Sequence, residues 1–299
     1  MTTDSGQISG ILTAMVTPFG PGGEVNEGSL RRLARHLIEH GSDGLVVAGT
    51  TGEASTLADS EHLHTIEVVV DEVGGETTVI AGTGSNDTAH AIHLTERASA
   101  LGVDGVLVVT PYYNKPSRLG LVEHFTAVAA ATTKPVVLYN IPGRCVLNLD
   151  PDLLAELGEI ANVVGVKQAN ADIEQARRIV EDTNLALIAG DDSLLRPFAE
   201  IGGAGGITVT SHLFGEQMHE LFEAARDGDL ERAREIDEQL ADAFETLFMT
   251  ASPTLTKAAL NLLGFDVGGL RLPLVEATDD ERDTVRAMLE RHGLAVQTA

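Results

Sequence analysis

The sequence predicts an α/β fold, a (β/α)8 barrel with additional helices at its C-terminal end. Three observations predict it. Eight short runs rich in valine and isoleucine alternate with longer stretches of helical period. The runs are continuously apolar, as parallel strands covered by helices on both faces require. A unit of glycine, two residues, a second glycine and then a strand recurs at "HGSDGLVVAGT", "LGVDGVLVVTP" and "IGGAGGITVTS". A chain of 299 residues suits one barrel, which typically takes about 250 residues plus insertions. A doubly wound open sheet is the alternative.

The strands are expected at "ILTAMVTPF" from Ile11, "GLVVAG" from Gly44, "TVIAG" from Thr78 and "GVLVVT" from Gly105. They continue with "PVVLYN" from Pro135, "VVGVK" from Val163, "LALIAG" from Leu185 and "GITVT" from Gly206. Helical spacing is clear in Leu30, Leu33, Leu37 and Ile38, and again in Ile173, Ala176, Ile179 and Val180. The first glycine of each repeated unit suits a helix C-cap, where a left-handed backbone is needed. The glycines at 202–206 take this reading too, because they precede a strand and lie at the wrong end of the barrel for phosphate. After Thr210, helices are expected at 213–227, 229–249 and 254–263, with an acidic one from about Asp279. No linker rich in Pro, Gly or Ser marks an independent domain. The chain is therefore read as a barrel, residues 1–225, with a helical extension, 226–299, packed on its flank.

Composition removes several function classes. Forty-five acidic residues against 20 basic ones leave a formal charge of −25, which repels nucleic acid and anionic membrane. No apolar run approaches the roughly 20 residues of a membrane helix, and the opening MTTDSGQ lacks the basic start of a signal peptide. A cytoplasmic protein is expected. The single Cys145 forms no internal disulfide, and ten scattered histidines without paired cysteines give no zinc pattern. Neither a metal nor a cofactor is expected. Arginine outnumbers lysine sixteen to four, and the acids are dispersed through presumed helices. This pattern predicts adaptation to concentrated salt, which screens self-repulsion.

In a (β/α)8 barrel the working residues stand at the C-terminal ends of the strands. Those ends carry Thr17, "GTTGEAS", "GTGSN", "TPYYNKP", "YNIPGR", Lys167, "GDDS" and "TVTSH". Lys167 closes an apolar run in a chain with only three other lysines, Lys115, Lys134 and Lys257, for which surface roles are expected. A strand-end lysine can snorkel to solvent. Desolvated in a barrel mouth, the same amine has a lowered pKa and attacks a ketone to form a Schiff base. Such chemistry needs a proton shuttle, for which Tyr139 is the candidate, with Thr51 and Tyr113 to complete a relay. The "GTTGE" turn offers backbone N–H groups and hydroxyls for a carboxylate, or is a plain turn. Arg144 can clamp a second carboxylate, or is a surface arginine. The pairs His36/His40 and His90/His93 read as solvated helix faces, Cys145 as a small packing residue, and His212 as an edge of the site.

Together, "GTTGEAS", "TPYYNKP", "YNIPGR" and "GVKQAN", in this order on successive strands, resemble the family of pyruvate-dependent class I aldolases that holds dihydrodipicolinate synthase and N-acetylneuraminate lyase. The resemblance runs from about Gly10 to Phe265 and is strongest to the synthase branch. It implies Lys167 as the Schiff-base lysine for pyruvate, Tyr139 as the proton-transfer residue and Thr51 as its hydroxyl partner. Tyr113 matches a tyrosine that reaches into the neighbouring subunit's site, which implies an oligomer, usually a homotetramer. Thr50 and Thr51 would hold the pyruvate carboxylate, with Gly190 and Ile207 lining the pyruvate site. Arg144 would receive the carboxylate of aspartate semialdehyde, and the product would be 4-hydroxy-tetrahydrodipicolinate. An aldolase for 2-keto-3-deoxy sugar acids is the alternative, against which Arg144 argues.

The resemblance also exposes departures. Gln168 and Asn170 stand where the synthases commonly read Glu and Thr or Ser, and Cys145 and Val146 where they read Thr-Gly. Both substitutions are expected near the second substrate. Of the family's lysine-binding feedback site, His62, Asn86 and Tyr112 match, while Ala54 replaces a serine and His90 an acid. Weak lysine inhibition is the resulting expectation.

Overall fold

The computed structural model describes residues 8–297, and the N-terminal heptapeptide and last two residues discussed above lie outside the described residues. Eight parallel strands close into a barrel in chain order. They are β1 Gly10–Ala14, β2 Gly44–Val47, β3 Thr78–Gly82, β4 Gly105–Val109, β5 Val136–Asn140, β6 Val163–Gln168, β7 Ala186–Ala189 and β8 Gly205–Thr208. Each begins within one residue of its expected start. The circle closes where Gly10 of β1 meets Gly205 of β8. A Cβ on Gly205 would stand 2.1 Å from the Gly10 carbonyl oxygen, so only glycine lets the two strands pair there.

Helices α1 Glu27–Glu39, α2 Asp59–Val73, α3 Thr88–Ala100 and α4 Arg118–Ala130 follow the first four strands. The turn α5 Pro142–Cys145 and helix α6 Pro151–Gly158 follow β5, and α7 Ile173–Asp182, α8 Leu195–Ala199 and α9 Ser211–Asp227 follow the last three strands. Their starts are encoded locally: the side chains of Asn26, Asp87, Ser117, Asp150 and Asp172 accept hydrogen bonds from first-turn amides. Gly41, Gly102 and Gly202 adopt φ of 95°, 92° and 97°. The repeated unit is thus a helix stop placed before β2, β4 and β8.

Side-chain alternation along the strands divides the core in two. Leu12, Val46, Ile80, Leu107, Val137, Ile188 and Ile207 fill the barrel interior. A larger outer layer, including Leu45, Val106, Leu138 and Leu187, packs against the helices through residues such as Leu30, Leu33 and Leu37 of α1. Each such side chain contributes about 1.5–3 kcal/mol on full burial.

Three further helices complete the chain: α10 Leu230–Leu247, α11 Thr254–Leu262 and α12 Asp279–Arg291. Helix α10 packs on α9, and α12 on both α10 and α11. The expected surface position of Lys257 is overturned. From Thr254 to Leu260 every residue of α11 except Ala258 is buried, because the helix is enclosed on nearly all sides, and Lys257 is 1% exposed. His36 also departs from expectation. Its half-buried ring lies 4.5 Å from that of Phe265 and 4.0 Å from that of His40, and burial lowers its pKa to about 4. No described helix is long and apolar enough to cross a membrane.

Candidate active site

Strands β5 and β6 pair in a register that sets Tyr139 opposite Lys167. Both side chains turn into the barrel, and the Lys167 Nζ stands 4.5 Å from the centre of the Tyr139 ring. Each residue is only 6% exposed. Room for the lysine stem comes from Gly190, just past β7, where a Cβ would lie 2.9 Å from the Lys167 Cγ. Gly190 is therefore a space-giving residue at the position expected to line the site. Ile207 is buried in the same interior layer.

Burial dominates the electrostatics of this pair. It lowers the Lys167 pKa to about 8, opposed by the Asp192 and Asp191 carboxylates and reinforced by the Arg144 cation. The same desolvation pushes the Tyr139 hydroxyl well above its ordinary pKa, with Arg144 opposing. The arrangement holds an amine that is partly neutral near pH 8 beside a protonated phenol. Asp192 stands in the sequence only within "GDDS", the segment that follows β7, with no role assigned to it there. Its buried carboxylate accepts hydrogen bonds from the Val209 and Thr210 amides, bracing the turn after β8.

The turn after β2 brings Thr50 to the same mouth. It is tightly wound: Ala48 and Glu53 have φ of 53° and 55°, and the Thr17 hydroxyl donates to the Gly52 carbonyl at 2.7 Å. Thr50 lines the open cavity, whereas Thr51 is buried and accepts a 3.5 Å hydrogen bond from Ser252. Among the described residues no hydrogen bond joins Thr51 to Tyr139. Tyr113 is 89% exposed, with φ of 72°, and among the described residues is hydrogen-bonded to neither. The expected three-residue relay is thus not assembled within one chain.

A cavity of about 430 Å³ opens at this mouth, bounded by Thr50, Tyr139, Ile141, Arg144 and Cys145 on one side. Lys167 is not one of its lining residues but lies against Tyr139, which is. Arg144 is exposed on the wall, bound by no carboxylate among the described residues. Burial pushes the Cys145 thiol up to about 11, which keeps it protonated and unreactive. His212 does not edge the site. Its Nδ1 donates to the Val209 carbonyl at 2.7 Å and its Nε2 accepts from the Val16 amide at 3.1 Å, so both nitrogens are committed to backbone.

The expectation that Gln168 and Asn170 lie near the second substrate is corrected. Gln168, next after Lys167, faces the opposite side of β6 by strand alternation. It is fully buried, and Asn140 Nδ2 donates to its Oε1 at 2.9 Å within an amide network that includes Asn148 and Gln175. Asn170 joins that network instead of the cavity. The cavity extends to Ala54, Asp59, His62 and His90, and the Asp59 Oδ1 lies 3.0 Å from the His90 Nε2. The Asp59 carboxylate is thus engaged by the His90 ring. Among the described residues no group of three or more His, Cys, Asp or Glu side chains is arranged to hold a metal ion.

Comparison with known proteins bears on the geometry. The model of the dihydrodipicolinate synthetase family matches residues 7–292. The 4-hydroxy-tetrahydrodipicolinate synthase of Desulforudis audaxviator is 48% identical over 97% of this chain and 98% of its own. The lysine-bound enzyme from Cyanidioschyzon merolae superposes with a TM-score of 0.94 at 43% identity, covering 96% of this chain and 99% of that one. The pyruvate complex of the Acinetobacter baumannii dihydrodipicolinate synthase gives a TM-score of 0.94 at 36% identity, covering 97% and 100%. With its closed barrel and its lysine beside a tyrosine at the mouth, the chain belongs to the dihydrodipicolinate synthetase family.

Proposed function

We propose that the chain condenses pyruvate with aspartate semialdehyde through a Schiff base on Lys167. The carrying observation is the Lys167 amine itself: buried at the end of β6, with its pKa lowered to about 8 and its Nζ 4.5 Å from the Tyr139 ring. In this reading the neutral Nζ attacks the ketone carbon of pyruvate, and the carbinolamine loses water to give the imine. Loss of a methyl proton gives the enamine, whose carbon attacks the aldehyde. The amine of the semialdehyde then attacks the imine carbon, closing the ring and releasing free Lys167. The product is 4-hydroxy-tetrahydrodipicolinate, with one water lost overall.

Tyr139 carries protons between these steps, and the Thr50–Thr51 turn receives the pyruvate carboxylate. Arg144, unpaired on the cavity wall, receives the carboxylate of the semialdehyde. Tyr113 acts in a neighbouring subunit, its 89% exposure being consistent with that reach, so the working assembly is a homotetramer. Thr51, Gly190 and Ile207 keep the supporting roles expected of them. We read the enzyme as cytoplasmic, with residues 1–225 as the barrel and 226–299 as its helical extension.

The test is incubation with pyruvate, reduction with borohydride and peptide mapping. Pyruvate-derived mass on Lys167 is expected. A folded protein with no adduct refutes the Schiff-base reading, and turnover of neutral sugar aldehydes with none of aspartate semialdehyde refutes the choice of second substrate.

A further inference from the structure

Beside the mouth, outside the residues given a chemical role, lies a fully buried ion pair. Lys257 Nζ stands 2.7 Å from Glu53 Oε1, with the two side chains 1% and 0% exposed. The ammonium also donates to the Gly269 carbonyl at 2.7 Å and sits 4.1 Å over the Phe19 ring. The second Glu53 oxygen accepts from the Arg271 amide at 3.0 Å. The Arg271 guanidinium in turn binds the Glu61 carboxylate, the Thr56 carbonyl at 2.7 Å and the Gly23 carbonyl at 2.7 Å.

Of these contacts, those to Glu53 and to the Thr56 carbonyl reach the segment that carries Thr50 and Thr51, while the others anchor the cluster to Phe19, Gly23, Glu61 and Gly269. Glu53 closes that turn in a left-handed conformation, φ 55°, which a non-glycine residue adopts at a cost and keeps only where its surroundings fix it. Its amide donates to the Thr50 carbonyl at 3.1 Å. From the same C-terminal extension, Ser252 reaches the Thr51 hydroxyl. A buried ion pair adds little net stability over an apolar pair of equal size, but the hydrogen bonds beside it, from Lys257 to the Gly269 carbonyl and from the Arg271 amide to Glu53, are directional and define one position.

We propose that the buried Lys257–Glu53 pair, tied off by Arg271, is a positioning device of the C-terminal extension that fixes the Thr50–Thr51 turn for the pyruvate carboxylate. This inference rests on the proposed pyruvate chemistry. Lys257 and Glu53 touch no substrate; they act through the turn.

The test compares the native enzyme with the double variant Glu53→Gln/Lys257→Met, which removes both charges together so that neither is stranded, and with Arg271→Gln at the more exposed end. The pyruvate concentration giving half-maximal borohydride trapping on Lys167 is measured, with KM and kcat alongside. Half-saturation and KM for pyruvate should rise about 10- to 100-fold in the double variant, the scale of a misplaced binding group, and less in Arg271→Gln. The kcat should change much less, as for lost ground-state binding. Arg196→Gln, which breaks the Arg196–Asp237 pair on the outer flank, should leave half-saturation unchanged. If the double variant does not fold, Arg271→Gln decides. Folded variants with unchanged half-saturation overturn the inference. Native protein that fails to label refutes the pyruvate reading instead.

Discussion

The pH dependence of pyruvate capture is the sharpest consequence of the Lys167 environment. A lysine amine at its ordinary pKa of 10.5 is neutral in about one molecule in 3,000 at pH 7, whereas at a pKa of about 8 roughly one in ten is neutral. The buried site therefore raises the concentration of nucleophile about 300-fold at neutral pH, equivalent to about 3 kcal/mol. The perturbation is a titration from pH 6 to 10, and the assay is the initial rate of adduct formation on Lys167 with pyruvate and cyanoborohydride. The rate should climb about tenfold per pH unit, bend near pH 8 and then level off. A rate still climbing tenfold per unit at pH 10 would show that the amine is solvated and sink the reasoning. Stability should follow the same group. Its folded pKa lies below the unfolded one, so burying the ammonium costs most below pH 8, and that cost is relieved as pH rises from about 8 to 10.5.

Four other outcomes are expected. Tyr139→Phe keeps the ring beside Lys167 but removes the hydroxyl, so trapping should persist while kcat falls about 10²–10⁴-fold; equal turnover would remove Tyr139 from proton transfer. Arg144→Ala should leave pyruvate trapping intact and raise KM for aspartate semialdehyde about 10- to 100-fold, a hydrogen-bonded charge contact being worth about 1.5–3 kcal/mol; an unchanged KM assigns the carboxylate elsewhere. Gly190→Ala places a methyl 2.9 Å from the Lys167 Cγ, so trapping should drop sharply in a variant whose circular dichroism is native; normal trapping would show that the stem can shift aside. With a charge of −25, the melting temperature should rise between dilute buffer and molar potassium chloride as repulsion is screened, and a flat response would contradict salt adaptation.

The barrel was legible because its signals are local. Apolar runs fixed eight strands, and Gly41, Gly102 and Gly202 marked three helix ends before any contact was known. Lys167 and Tyr139 were also legible, since strand ends in a closed barrel converge and both residues are rare in this chain. The burial of Lys257 was not legible. Nothing near position 257 announces Glu53, which lies two hundred residues earlier and meets it only through tertiary packing. His212 misled for the converse reason: its place after β8 suited a site edge, but both nitrogens are used by backbone groups that the sequence leaves invisible. The contact between Asp59 of α2 and His90 of α3 was likewise invisible, because the two residues lie on different helices.

Pairing of β8 with β1 leaves this sheet without a free edge. Closed sheets offer no unpaired backbone for another chain to extend, so any partner chain would meet loops, helices or exposed side chains instead. Quaternary structure and catalytic scaffold are then separable in evolution. Surface substitutions can make, break or rearrange the assembly while the strand register that holds Tyr139 against Lys167 is inherited unchanged.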